Sequence, residues 1–215
     1  MDTVFQPIVD LNNNSVVGFE ALTRPSNIFL ERNKRKLLAV DLQALALSSD
    51  KAATMFPGNK VFINIRPATL VWLYKHNQKL YLPGQDTRTG DLVLELTESE
   101  QDPPMDVVKQ SISWVQKILQ CKIAIDDISS GYNRLRYAYE LEPDYLKLDR
   151  PIIKFCDKGR KKQRMIQSLL ALSESLNLQL IAEGIEREEE RKTLVQLGVP
   201  LGQGYLFGKP SKDGR

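Results

Sequence analysis

Residues 4–22 read "VFQPIVDLNNNSVVGFEAL". Two β-rich runs, "VFQPIVDL" and "SVVGFEAL", flank Asn12-Asn13-Asn14, residues that tolerate a tight turn. The stretch predicts a hairpin, so its two strands run antiparallel. Beyond it the pattern changes. Short apolar runs at "KVFINI" (60–65), "DLVLEL" (91–96), "KIAIDD" (122–127), "DYLKLD" (144–149) and "LQLIAEG" (178–184) alternate with helical periods. The helical periods run through Leu37, Leu38, Asp41, Leu42, Leu45 and Ala46, then follow Pro67, then cover "PPMDVVKQSISWVQKIL" (103–119), whose prolines suit a first turn. A long helix is expected over roughly 160–176 and another over "REEERKTLVQLG" (187–198), stopped by Gly198. "GQGYLFGKP" closes the chain. Strands alternating with helices imply a parallel sheet. With the hairpin included, about eight strands are expected, the number of an α/β barrel. The reading is a modified TIM (β/α)8 barrel whose first strand runs against the rest.

The 215 residues suit one such barrel, and no second composition zone or long Pro/Gly/Ser linker divides them, so a single domain over 1–215 is expected. Hydrophobic content of 42% and charged content of 27% describe a globular chain. No apolar run reaches the ~20 residues of a membrane span, and "MDTVFQPIVD" lacks a signal pattern. Cys121 and Cys156 have no metal-like spacing and read as reduced thiols of a cytoplasmic protein. Net charge is only +3, and the basic runs "ERNKRK" (31–36) and "KGRKKQR" (158–164) carry no interleaved aromatics. They read as a solvated loop and a helix start rather than a nucleic-acid surface. His76, in a polar stretch, reads as a surface residue.

Buried parallel strands should be almost wholly apolar. Here each carries a polar residue late in the run: Glu20, Asn64, Glu95, the pair Asp126-Asp127, Lys147, Glu183 and, in the last segment, Gln203. One strand-end carboxylate is usually a helix cap. A succession of them on consecutive strands converges on the mouth of a barrel, where barrel enzymes carry their active sites. Carboxylates crowded into one pocket cannot all ionise without a cation. An all-oxygen donor set, with no Cys or His, selects Mg²⁺ or Mn²⁺ over zinc. Adjacent aspartates suit two ions ~3.5–4 Å apart, which together activate water and clamp the oxygens of an in-line phosphoryl displacement. Phosphodiester hydrolysis is the expected chemistry.

The motifs "FQPIVDL", "FEAL" followed by Thr23 and Arg24, "INI", "LELTES", "AIDD", "DYLKLDR", "IAEGIE" and "GQGYLFGKP" stand in one order over nearly the whole chain. In that order they resemble the EAL domain family of cyclic-di-GMP phosphodiesterases. The resemblance implies that Glu20, Asn64, Glu95 and Asp126 hold one metal, and that Asp126, Asp127 and Glu183 hold the second. Lys147 would orient the attacking water, Glu183 would serve as base, and Gln203 would support the site. Arg24 would hold a phosphate, Gln6 and Leu22 would line the nucleotide groove, and Glu98 would anchor the loop after the paired aspartates. The implied product is linear pGpG, and a homodimer is a further possibility.

Three features depart from the family pattern. The loop after Asp126-Asp127 reads Ile128-Ser129-Ser130-Gly131, where active members usually carry Phe-Gly-Thr-Gly. Losing the first glycine removes a position free to take positive φ. The segment between Arg24 and Asp41, one wall of the groove in the family, is short. The chain begins almost at its first strand, without the helix that commonly precedes it and without an attached sensor or cyclase domain. The first two departures favour an alternative: a weakly active or inactive EAL domain that binds cyclic-di-GMP or a protein partner.

Overall fold

In a computed structural model the backbone is described for residues 2–24, 34–78, 91–97, 103–128 and 132–214, and the side chains of Arg24, Lys34, Arg35, Tyr132 and Asn133 are not part of that description. Eight strands close into one barrel in chain order: β1 (Asp2–Asp10), β2 (Val16–Arg24), β3 (Lys60–Ile65), β4 (Leu92–Leu96), β5 (Lys122–Ile125), β6 (Tyr145–Leu148), β7 (Gln179–Ala182) and β8 (Leu201–Gln203). β1 is antiparallel to both neighbours, β2 and β8, and the remaining pairs are parallel. The hairpin turn is made as the asparagines suggest. Asp10 Oδ1 accepts the Asn12 N–H at 2.8 Å, Asn13 Oδ1 accepts the Ser15 N–H at 2.8 Å, and Asn14 takes a left-handed φ of 61°.

The helices among the described residues are α1 (Lys34–Met55), α2 (Pro67–Lys75), α3 (Met105–Leu119), α4 (Tyr132–Glu140), α5 (Arg150–Ile153), α6 (Arg160–Ser175) and α7 (Glu188–Leu197). α3 shows why they lie on the barrel: its buried Val108, Ile112, Val115 and Leu119 recur at helical spacing along one face. On α1 the buried face is Asp41, Ala44, Leu45, Ser48, Ser49 and Ala52, whereas Ala46, expected on that face, is exposed. Asp41 is buried because Arg66, at the end of β3, salt-bridges it at 2.7 Å. α4 was not foreseen. Its nine residues, "YNRLRYAYE", are too short and polar for a clear period, and they leave Leu135 and Tyr139 exposed.

The strand alternation decides where the polar residues go. Outward-facing side chains such as Val61, Ile63 and Ile65, or Leu92, Leu94 and Leu96, pack into the main core beneath the helices. Inward-facing Ile8, Phe62, Val93, Ala124, Tyr145, Ile181 and Leu201 form a separate apolar cluster that fills the barrel. Side chains two residues apart on a strand share a face. One pleat toward the mouth from that cluster therefore stand Gln6, Asn64, Glu95, Asp126, Lys147, Glu183 and Gln203, and Glu20 joins them from β2 beyond Gly18. This apolar plug lies beneath the polar ring.

Candidate active site

Lys147 is the centre of the ring. It is 1% exposed, and its Nζ lies 2.5 Å from Glu183 Oε1, 3.6 Å from Glu20 Oε2 and 3.9 Å from Asp126 Oδ1. It also pairs closely with Glu95. Oxygens of Glu95, Asp126 and Glu183 lie within 4.8 Å of one another, a separation from which one cation can be held. Neither aspartate of the pair lies within β5, which ends at Ile125, so the expected strand end falls short by two residues. The Asp126 N–H still bonds to Leu96 O at 3.3 Å, and the Ile128 N–H to Lys147 O at 3.1 Å, so the backbone remains tied to β4 and β6. Glu183 likewise follows the end of β7, with its N–H on Leu148 O at 2.9 Å.

Glu20 is held by amides. Asn64 Nδ2 donates to its Oε1 at 3.0 Å and Gln203 Nε2 to its Oε2 at 2.7 Å. Gln203 Nε2 also reaches Gln6 Oε1 at 3.1 Å, and Gln6 Nε2 donates to Gly208 O at 3.0 Å. Because Asn64 turns its Nδ2 toward Glu20, its carbonyl end is the one that can face a cation. Gly204 lets the segment after β8 pass close to β7's exit, since a Cβ there would be driven into the Ile185 backbone.

Burial opposes the charge on Glu20, but Lys147, Gln203 and Asn64 hold its pKa below the usual value. Burial pushes Glu95 well above the carboxylate range against the pull of Lys147, and Glu20, Asp126 and Glu183 push the same way. Burial and the neighbouring Asp126 and Glu20 raise Glu183 to about 8, again against Lys147. Asp127 is raised to about 6 by burial, Asp126 and Asp149. Lys147 itself stays charged: burial opposes that, but Glu183, Glu20, Glu95 and Asp126 raise its pKa well above the usual value. A cluster in which burial and mutual repulsion make carboxylates hold protons has more negative charge than Lys147 alone balances. Glu95 Oε2 is also buried with no hydrogen-bond partner among the described residues. An orphaned carboxylate oxygen inside an oxygen-only donor set fits a divalent cation.

Above the ring lies a cleft of about 410 Å³ lined by Gln6, Leu22, Glu183, Arg150, Glu186 and Tyr205, among others. Gln6 and Leu22, named from the resemblance, both line this cleft. Arg150 and Glu186 salt-bridge at 2.7 Å on its rim. These two and Tyr205 were not singled out from the sequence, although Arg150 and Glu186 stand within the motifs "DYLKLDR" and "IAEGIE" and Tyr205 within "GQGYLFGKP". The loop that carries Glu183 and Glu186 is fixed from below by the buried Glu190, which accepts the N–H groups of Phe155 at 2.8 Å, Glu186 at 3.0 Å and Arg187 at 3.2 Å. The Arg24 side chain, Glu98, residues 129–131 and the wall segment 25–33 lie outside the described residues. Both cysteines are free and buried, away from this chemistry.

Comparison with known proteins agrees with this geometry. Among named relatives, the chain is 28% identical over 225 residues to the blue light- and temperature-regulated antirepressor BluF of Escherichia coli, covering 98% of this chain and 54% of that protein. It is 27% identical over 229 residues to the cyclic di-GMP phosphodiesterase RocR of Pseudomonas aeruginosa, covering 99% of this chain and 58% of that one. The chain thus spans little more than half the length of these relatives. Among solved structures, Klebsiella pneumoniae BlrP1 in complex with calcium and cyclic-di-GMP superposes with a TM-score of 0.83 at 26% identity, over 100% of this chain and 56% of that one. A manganese and cyclic-di-GMP complex of the same protein matches at 0.82. The EAL domain family model matches residues 1–210. A barrel with one antiparallel strand, a ring of strand-end carboxylates about a lysine, and a family match over almost every residue lead to one assignment: the chain belongs to the EAL domain family.

Proposed function

We propose that the chain hydrolyses cyclic-di-GMP to linear pGpG as a metal-dependent phosphodiesterase of bacterial second-messenger signalling. The observation that carries this reading is the ring of buried Glu20 and Glu95 and half-buried Asp126 and Glu183 around buried Lys147, with Glu95 Oε2 unpartnered among the described residues. Glu20, Asn64, Glu95 and Asp126 would hold one ion, and Asp126, Asp127 and Glu183 the other, with Mg²⁺ or Mn²⁺ as the natural occupants of oxygen sites. Divalent ions held there activate water and neutralise charge on phosphoryl oxygens. Gln6, Leu22 and Arg24 bind and orient the nucleotide above the ring, and Gln203 keeps Glu20 and Gln6 in register. Glu183 takes a proton from the attacking water while Lys147, 2.5 Å away, orients it. The new P–O bond forms as the P–O3′ bond breaks, and the departing oxygen is protonated. By the family resemblance, Glu98 would anchor the loop that follows Asp127. The setting is cytoplasmic, with cyclic-di-GMP as the partner, no nucleic-acid polymer and a homodimer as the assembly. Among the described residues no helix is long and apolar enough to cross a membrane.

The test is incubation with cyclic-di-GMP and Mn²⁺ or Mg²⁺ followed by separation of products. A second reading rests on Ile128-Ser129-Ser130: a binding module with slow or no turnover, responding to cyclic-di-GMP or to a protein partner. Asp127 stands at a left-handed φ of 49°, so its aim depends on the residues that follow it. A relative named as an antirepressor is consistent with that reading.

A further inference from the structure

Arg134 sits on α4, 3% exposed, and belongs to none of the motifs read from the sequence. Its Nη1 donates to Leu96 O at 3.1 Å. The same carbonyl accepts the Asp126 N–H at 3.3 Å. Leu96 follows Glu95 directly and closes β4. One backbone oxygen therefore joins the guanidinium, the strand that carries Glu95 and the first of the paired aspartates. Arg134 Nη2 is buried with no hydrogen-bond partner among the described residues. The guanidinium also lies 5.7 Å from the Tyr137 ring centroid. A buried cation so weakly satisfied costs stability rather than adding it.

We propose that Arg134 is a positioning residue for the paired aspartates, clamping β4 to Asp126 through the shared acceptor Leu96 O. It does not line the cleft, so its effect falls on the metal affinity of the site and not on nucleotide contacts. The inference rests on the two-ion reading above. Outer partners of metal ligands typically change metal affinity by ~10–100-fold when removed.

The test is Mn²⁺ binding followed by electron paramagnetic resonance on the whole chain, without substrate. In Arg134→Met, which keeps the buried volume and loses charge and donors, the weaker Mn²⁺ site should lose affinity about tenfold. Arg134→Lys keeps the charge and can reach Leu96 O, so it should stay within about threefold of the parent. Nucleotide affinity, measured with Ca²⁺ present, should change less than about twofold in both. If Arg134→Met folds poorly, Arg134→Gln, a neutral and shorter side chain, takes its place in the same measurement, with the same loss expected at the weaker site and unchanged Mn²⁺ affinity overturning the proposal. Unchanged Mn²⁺ affinity in Arg134→Met, or equal loss of nucleotide affinity, overturns the proposal. A parent chain that binds no Mn²⁺ overturns the metal site itself, a result distinct from either.

Discussion

Lys147 Nζ and Glu183 Oε1 stand 2.5 Å apart at the floor of the cleft, the lysine on β6 and the glutamate just beyond β7. The pair joins a strand interior to the loop that borders the cleft. It also places a lysine ammonium beside the carboxylate proposed as base. The same lysine offsets the charges that would hold metal, so removing it bears on stability and on the proposed metal site together.

Replacing Lys147 by Met removes that offset. Breaking a buried ion pair from one side typically costs about 3–5 kcal/mol. The variant should melt well below the parent without metal, and saturating Mn²⁺ should raise its melting temperature more than it raises the parent's. Calorimetry with and without Mn²⁺ checks both. A metal-free variant as stable as the parent would show that Lys147 does not balance the ring.

The pH dependence has a defined sign. Glu183 is raised to about 8 and Asp127 to about 6, so folding favours their protonated forms. Their contribution is present below the unfolded carboxylate range and is lost as pH rises through those values. Glu20, held below its usual value, contributes fully above about pH 4.5, and Lys147, raised, stays charged throughout. The metal-free chain should therefore lose melting temperature between about pH 5 and 8. With Mn²⁺ the slope should reverse, since the ion binds the ionised carboxylates. Melting curves in chelator and in Mn²⁺ give the two slopes, and parallel slopes would contradict the assignment.

Glu20→Ala and Asp126→Ala should each abolish hydrolysis while the far-ultraviolet spectrum stays that of the parent. Each removes an oxygen from the site and leaves the remaining carboxylates less well bridged. Product formation at the parent rate by either variant would place the chemistry elsewhere.

Much of this was legible before any coordinates. The strand succession, the antiparallel first strand and the polar ring follow from alternation: a residue two steps past a buried one must share its face, so Asn64 follows Phe62 and Glu95 follows Val93 to one mouth. Arg134 was not legible, because nothing in "YNRLRYAYE" distinguishes a buried arginine from a solvated one. Its burial depends on α4 closing over the carbonyl of Leu96, a contact across 38 residues. Asp41 stands on the buried face that the helical period predicts, but the reason a carboxylate can be buried there, its pairing with Arg66, lies 25 residues away. Arg150, Glu186 and Tyr205 meet at the cleft only once the loops after β6, β7 and β8 are placed.

The altered loop offers a separate test. Substituting Phe, Gly and Thr at 128, 129 and 130 should raise turnover at limiting Mn²⁺ and leave cyclic-di-GMP affinity nearly unchanged. Ile128 is already buried, so a phenylalanine there must repack, while glycine at 129 restores a residue free to take positive φ. A misplaced ligand of roughly 1 Å can cost about a hundredfold in rate. Steady-state kinetics against metal concentration check this. A change in affinity without a change in metal dependence would instead implicate the wall after Arg24.

The central claim, that this barrel mouth hydrolyses cyclic-di-GMP through bound divalent metal, is tested most directly by incubating the chain with cyclic-di-GMP and Mn²⁺ or Mg²⁺ and separating the products. The account predicts linear pGpG that accumulates with time, needs the metal and disappears in chelator. Cyclic-di-GMP that remains intact in metal-saturated protein, bound or unbound, would contradict it.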